Sequence, residues 1–187
     1  MGDVVRGRHE RSRGQARGRS SKKNAHENEP KDHALGRSRG GWGSKLHLVT
    51  DGKGVPLAAV VTAGQSHESK SFEAVMESVK RPRGVRWPKK VAGDKGYSYP
   101  SVARWLANRE IVSVIPQRSD QIKHNGKAPL DKRAYRRRSV IERCVNWLKE
   151  NRHFSTRYDK LAVNFMGFVT LAFIRRYLRL LHPSDTP

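Results

Sequence analysis

The sequence predicts an α/β fold, because segments with the periodicity of β-strands alternate with segments that have helical periodicity. Two β-rich runs, Lys45–Asp51 and Val55–Ala63, are joined by Asp-Gly-Lys-Gly, which is a strong hairpin signal. A short strand over Lys90–Asp94 ends in a carboxylate, and Ile111–Ile115 has the composition of another strand. The predicted order is therefore hairpin, helix, strand, helix, strand, loop, helix and helix, which is typical of an α/β domain.

Four helices and one long loop complete this prediction. The loop over Arg118–Asp131 is polar and rich in residues that break helices. Ser69 or Ser71 can cap the first helix, and Pro100 suits the first turn of the second. The predicted helices span Ser69–Val79, Pro100–Arg109, Lys132–Asn151 and Lys160–Leu181.

Net charge is the strongest compositional feature of the 187 residues. Lys and Arg number 39 against 17 Asp and Glu, which gives a formal charge of +22 and a pI near 11. Such an excess predicts a polyanionic partner, and nucleic acid is the usual one, although an RNA-binding protein shares this balance. The single cysteine, Cys144, forms no internal disulfide, which fits a reducing cytoplasm, and it suits a core position.

The ends of the chain are predicted to lie outside the folded domain. Residues 1–44 are rich in Arg, Gly, Ser and Lys and nearly free of large apolar side chains, so we expect a flexible basic arm. Residues 45–181 are the expected domain, and residues 182–187 an expected disordered tail. No signal peptide is predicted at the charged N-terminus, and the apolar stretch Phe165–Ile174 is too short to span a membrane.

The third predicted helix carries the most informative pattern. If its residues form one helix, Tyr135, Arg138, Glu142 and Lys149 share a stripe. A carboxylate between two cations suits a metal beside a phosphate, because the metal takes carboxylate oxygens and the cations take phosphate oxygens. The alternative is a solvated surface pair, which stabilises a helix by only a few tenths of a kcal/mol.

The order Tyr, two residues, Arg, three residues, Glu, six residues, Lys resembles the signature of DDE transposases of bacterial insertion sequences. Residues from Ala34 to about Leu178 are similar to the insertion-sequence-five-like branch, whose fold is ribonuclease-H-like. The run Ala92-Gly93-Asp94-Lys95-Gly96-Tyr97 resembles the second-aspartate motif of this family, with Gly93 as an insertion. The spacing alone leaves open that Asp94 only caps the helix beginning near Ser98 or ends the strand in solvent.

The resemblance implies the site residues and the chemistry. It assigns Asp94 and Glu142 as catalytic, metal-binding carboxylates, and two Mg²⁺ ions about 3.5–4 Å apart as the cofactor of DNA strand cleavage and transfer. Residues assigned to DNA contact are Tyr135, Arg138 and Lys149 of the signature, Arg37 and Arg39 of the Gly-Arg-Ser-Arg-Gly-Gly run, and Arg152 and Arg157 of a basic turn.

The first aspartate of the family pattern is the feature that this sequence does not match. Aligning Val5-Arg6 with the family places that aspartate at or before Met1, and Asp3 is out of register. We therefore expect a ribonuclease-H-like core that lacks its first central strand, in a truncated transposase that is inactive alone. The expected partners are insertion-sequence ends and an upstream reading-frame product, with a homo-oligomer left open. The resemblance also implies a bacterial, nucleoid-associated protein in the cytoplasm. A non-catalytic DNA-binding regulator and a basic RNA-binding protein are the alternatives.

Overall fold

The computed structural model describes residues 2–8, 33–38, 41–155, 159 and 161–182. Strands in these ranges form one mixed sheet, whose main path runs β4, β3, β1, β5 and β6, with β2 pairing the first residues of β3. The strands are β1 (Gly2–Arg8), β2 (Gly36–Ser38), β3 (Gly41–Thr50), β4 (Pro56–Ala63), β5 (Lys90–Gly93) and β6 (Val112–Val114).

Strand β1 occupies the centre of this sheet. It pairs antiparallel with β3 and parallel with β5, and the backbone of Asp3 lies opposite Thr50 on one side and Ala92 on the other. The structure thus differs from two expectations, that the first central strand is lacking and that all of residues 1–44 form a flexible arm. The difference has a physical reason, because β3 and β5 would otherwise leave two rows of backbone hydrogen-bonding groups unpaired.

The predicted hairpin joins β3 to β4 and is closed by its Asp-Gly turn. Oδ1 of Asp51 accepts hydrogen bonds from the backbone N–H groups of Lys53 and Val55, each at 2.8 Å. Gly54 has a φ of 85°, and a Cβ there would lie 3.1 Å from the carbonyl oxygen of Val140. The turn therefore needs glycine both for its backbone conformation and for its contact with the third predicted helix.

Seven helices lie in the described ranges, together with a 3₁₀ turn over Lys95–Tyr97. They are α1 (Glu68–Glu77), α2 (Pro100–Ala107), α3 (Ser119–Asn125), α4 (Lys132–Arg136), α5 (Ser139–Glu150), α6 (Arg152–Ser155) and α7 (Ala162–Leu181). Among these helices, none is both long enough and apolar enough to cross a lipid bilayer.

Helix α3 lies in the segment that was predicted to be a loop. It has no buried residue, so its sequence carries no apolar periodicity that could have indicated a helix. Hydrogen bonds hold it instead: Gln121 accepts from the hydroxyl of Ser98 at 2.6 Å and donates to the Ser98 carbonyl at 3.1 Å. This correction reflects an interaction between distant segments that local sequence does not show.

The single helix predicted over Lys132–Asn151 is two helices, α4 and α5, separated by a turn at Arg137 and Arg138. The N–H of Arg138 donates to the carbonyl of Tyr135 at 3.0 Å, which is the spacing of a 3₁₀ turn. Ala134 of α4 packs with Ala92 and Val114, whereas α5 packs in a different cluster. The predicted helix is interrupted at Arg137 and Arg138 because α4 and α5 pack on different strands.

Apolar clusters cover both faces of the sheet. Val49 and Val91 face a cluster that α1 and α2 complete with Phe72, Val75 and Leu106. The opposite face carries a second cluster, formed by the β3 residues Leu46 and Leu48 with α5 and α7. Because successive side chains of a strand point to opposite faces, Ala92, next to Val91, lies on the face of this second cluster. Helices α4 and α5 therefore both lie opposite to α1.

Candidate active site

Asp94 lies at the carboxyl end of β5, where open α/β sheets place their sites. Its backbone is extended, with φ −80° and ψ 172°, and its Oδ1 accepts a hydrogen bond from the Gly96 N–H at 2.6 Å. Asp94 therefore caps the 3₁₀ turn Lys95–Tyr97 rather than the helix expected near Ser98, and its side chain remains partly exposed. Side-chain alternation along β5 directs the Cβ of Asp94 to the side of Ala92, while the turn that Asp94 caps lies close to Glu68 of α1.

Gly96 brings a second carboxyl group to this turn. A Cβ at Gly96 would lie 2.8 Å from Oδ1 of Asp94 and 3.4 Å from Cδ of Glu68. Glu68 begins α1 and is buried, and its Oε1 lies 3.0 Å from Nζ of Lys45 in a largely buried ion pair. Sequence reasoning missed Lys45 and Glu68, because a glutamate in the first turn of a helix is ordinary.

A buried hydrogen-bond chain holds the other end of the turn. The hydroxyl of Tyr97 lies 3.0 Å from Nδ1 of His47, and Nε2 of His47 lies 3.0 Å from Oγ1 of Thr62. Tyr97 and His47 have no exposed surface, so the chain crosses the core from the turn through β3 to β4. His47 is thus an interior residue.

Glu142 lies on α5 beside Arg138, as its spacing predicted. Nη2 of Arg138 lies 2.7 Å from Oε1 of Glu142, and the Arg138 guanidinium lies 5.4 Å from the centre of the Tyr135 ring. The Arg138 side chain is only 20% exposed, whereas that of Glu142 is 55% exposed. The pair therefore differs from an ordinary solvated pair, because the cation is held by its surroundings while the carboxylate reaches solvent.

The four signature residues do not all lie on one helix. Tyr135 belongs to α4, and Arg138 caps α5, which carries Glu142 and Lys149. Glu142 and Lys149 are seven residues apart on α5, so they share one face of that helix. The tyrosine reaches the group through its ring contact with Arg138 rather than through helical spacing.

The other predicted DNA contacts are only partly placed. Arg37 lies on β2 and is exposed, next to the exposed Trp42 of β3, and Arg152 is exposed on α6. Arg39 and Arg157 lie outside the described residues. These arginines thus remain predictions from the resemblance.

Carboxylate oxygens such as those of Asp94 and Glu142 are the ligands that Mg²⁺ prefers. Within the described residues, no group of three or more Asp, Glu, His or Cys side chains is close enough to hold a metal ion. The described residues therefore match the donor chemistry of a magnesium site without forming a complete one.

The fold and the site define a mixed α/β domain that presents acidic residues on a strongly basic protein, as in proteins that process nucleic acid. A family model described as the transposase DDE domain matches residues 8–175, and the chain belongs to this family. The mixed sheet is consistent with the ribonuclease-H-like fold expected for it.

Two relatives agree with this membership. A protein named as the transposase for insertion sequence element IS402 of Burkholderia cepacia is 31% identical over 134 residues, which cover 69% of this chain and 60% of that protein. A protein named as the transposase for element IS6501 of Brucella ovis is 30% identical over 140 residues, covering 73% of this chain and 98% of that protein. The chain thus matches less than two thirds of the length of the first relative.

Proposed function

We propose that this chain acts on the ends of an insertion sequence, by metal-dependent cleavage and transfer of DNA strands. Family membership supports the reaction class, and two observations support the choice of residues: Asp94 follows the carboxyl end of β5, and Glu142 of α5 pairs with Arg138. The proposal places the protein in the bacterial cytoplasm, where its DNA substrate lies.

In this proposal Asp94 and Glu142 hold the metal. Divalent ions bound to carboxylates activate the attacking oxygen and stabilise the leaving oxygen of a phosphodiester. Gly96 orients the Asp94 carboxylate through the 2.6 Å hydrogen bond, and Arg138 orients Glu142 through the 2.7 Å contact. Arg138 and Lys149 bind phosphate oxygens of the DNA strand, because guanidinium and ammonium groups form charge-assisted hydrogen bonds with phosphate.

The third acidic ligand belongs on β1 in this proposal. Asp3 is the acidic residue of that strand, and its backbone pairs with Ala92, two residues before Asp94. The competing source is an acidic strand from an upstream reading-frame product. Both sources are testable. Asp3→Asn inactivates the site in the first case, whereas in the second case cleavage requires the added upstream product and Asp3→Asn leaves it unchanged.

The test is Mg²⁺-dependent cleavage of a labelled duplex that carries the ends of the element. We expect cleavage that EDTA abolishes and that Asp94→Asn and Glu142→Gln each reduce by at least about 100-fold, since both remove a metal ligand. Glu73→Gln, on exposed α1 surface, is the matched control and should keep full activity. Cleavage that survives Glu142→Gln would overturn the assignment.

A second function is a non-catalytic DNA-binding regulator that covers the ends of the element. The first aspartate of the family pattern, which this sequence does not match in register, favours it. It predicts that the chain binds the element ends tightly but cleaves them neither alone nor with an added upstream product.

A further inference from the structure

The amino end of β5 forms a cavity that the proposed catalytic residues do not use. Its volume is about 540 Å³, and we call it the Lys89 pocket. It opens between the start of β5 and helix α4, at the other end of β5 from Asp94. The lining residues are Lys89, Lys90, Asp131, Arg133, Ala134 and Arg137.

Charge is the dominant property of this pocket. Four cationic side chains and one carboxylate line it among the described residues, which gives this lining a net charge of three positive. Lys90 forms an ion pair with Asp131 at 2.8 Å. In the part of the chain that the structure describes, Lys89, Arg133 and Arg137 form no ion pair, and all three are exposed.

Two interactions hold the side chain of Asp131 in the lining of the pocket. Its Oδ1 accepts a hydrogen bond from the Ala134 N–H at 2.9 Å, and its Oδ2 contacts Nζ of Lys90. The Ala134 N–H and then Lys90 lower the pKa of the Asp131 carboxyl, which stays ionised at neutral pH. Ala134 in turn packs on Ala92 of β5. The arginines of this segment are thus anchored to the strand that leads to Asp94.

We propose that the Lys89 pocket binds the phosphodiester backbone of DNA beside the active site. Guanidinium groups match the oxygens of a phosphate, and Arg133 and Arg137 are four residues apart, on one side of the same turn of chain. The described lining includes no aromatic or large apolar side chain that could stack on a base, so the backbone rather than a free nucleotide fits the pocket.

The pocket also lies at a useful distance from Asp94. Four residues of extended chain separate Lys90 from Asp94, which corresponds to about 13 Å. A strand of duplex DNA advances about 3.4 Å for each of its phosphates, and Val91 and Ala92 between the two points are buried, so at least about four nucleotides separate them. The inference rests on the proposed function for the identity of the polyanion, and it adds where the DNA beside the cleaved bond is held.

The first test is the salt dependence of binding to a duplex of about 30 base pairs, followed by fluorescence anisotropy without Mg²⁺. The triple variant Lys89→Ala, Arg133→Ala, Arg137→Ala should reduce the slope of log K against log salt by about 0.9 for each phosphate that the protein no longer neutralises. The control Lys70→Ala, Lys80→Ala, Arg104→Ala removes the same charge from exposed surface in and beside α1 and α2. Equal slopes for the two variants would overturn the proposal.

A variant that is expected to strengthen DNA binding keeps the proposal testable if the triple variant misfolds. Asp131→Asn keeps an acceptor for the Ala134 N–H, because asparagine also caps helices, and it removes the carboxylate from the described lining of the pocket. We expect tighter DNA binding and a steeper salt slope than for the control Glu73→Gln. No gain beyond that control would count against a phosphate in the pocket.

Acetylation of the unmodified chain gives an independent measurement. Duplex DNA should protect Lys89 from an acetylating reagent, as read by mass spectrometry, while the exposed Lys70 and Lys80 remain reactive. Protection by inorganic phosphate as strong as that by DNA would identify a small-anion site and overturn the proposal. Because no cleavage is required, the pocket can be confirmed when the catalytic proposal fails, and can fail when that proposal holds.

Discussion

The hydroxyl of Tyr97 and Nδ1 of His47 lie 3.0 Å apart in the core, with no solvent exposure of either residue. This hydrogen bond joins the turn that orients Asp94 to strand β3, and Thr62 extends it to β4. The position of the carboxylate thus depends on a polar interaction in the interior. Buried polar groups of this kind are costly to leave without a partner.

Tyr97→Phe removes that hydrogen bond and keeps most of the ring packing. We expect the free energy of unfolding to fall by about 1–3 kcal/mol, because a nitrogen of His47 is deprived of a buried partner. Urea unfolding measures this change. Tyr99→Phe is the control, since the Tyr99 hydroxyl contacts the exposed ring of His67 and the partly exposed guanidinium of Arg118, where water can replace it. A smaller effect for Tyr97→Phe than for Tyr99→Phe would contradict the prediction.

Gly96→Ala tests the crowding at the Asp94 turn. The new Cβ would lie 2.8 Å from Oδ1 of Asp94, so the carboxylate or the turn has to move. We expect a destabilisation of about 1–3 kcal/mol and a loss of strand cleavage.

The control for this variant is Gly167→Ala, in helix α7, where an added Cβ meets no atom within 4 Å. Alanine is the better helix former, so Gly167→Ala should stabilise the protein by up to about 1 kcal/mol. Similar thermal unfolding of the two alanine variants would contradict the crowding argument.

Lys45 and Glu68 should behave as a coupled pair. Glu68→Gln leaves the Lys45 charge in a largely buried site, and breaking such a pair costs about 3–5 kcal/mol. The double variant Lys45→Met, Glu68→Gln removes both charges, so its destabilisation should be smaller than the sum of the two single effects. A double-mutant cycle by urea unfolding measures the coupling, and strict additivity would show that the two residues act independently.

The buried thiol of Cys144 should make the protein less stable at high pH. Burial raises the pKa of its thiol from 9.0 to about 11, so between these values the unfolded chain releases a proton that the folded chain retains. The free energy of unfolding should therefore fall by up to about 1.4 kcal/mol for each pH unit in this window. Cys144→Ala should reduce this slope, leaving the part from Tyr177, whose pKa burial also raises.

The sequence alone determined the parts that depend on local pattern. Alternation and the Asp-Gly turn predicted the β3–β4 hairpin, and apolar spacing predicted the buried face of α5. Family membership is confirmed, and the close Arg138–Glu142 contact follows from the four-residue spacing along one helix. The hairpin, the buried helix face and this contact depend only on residues that are close in the sequence, so a short segment is enough to predict them.

The tertiary structure decided what depends on distant partners. It paired β1 with β3 and β5, because the backbone groups of two strands need a third, although residues 2–8 resemble the basic segment that follows. It divided α4 from α5, because their apolar residues pack on different strands. It also brought Glu68, Lys45 and His47 to the Asp94 turn, a convergence of distant segments that no local pattern specifies.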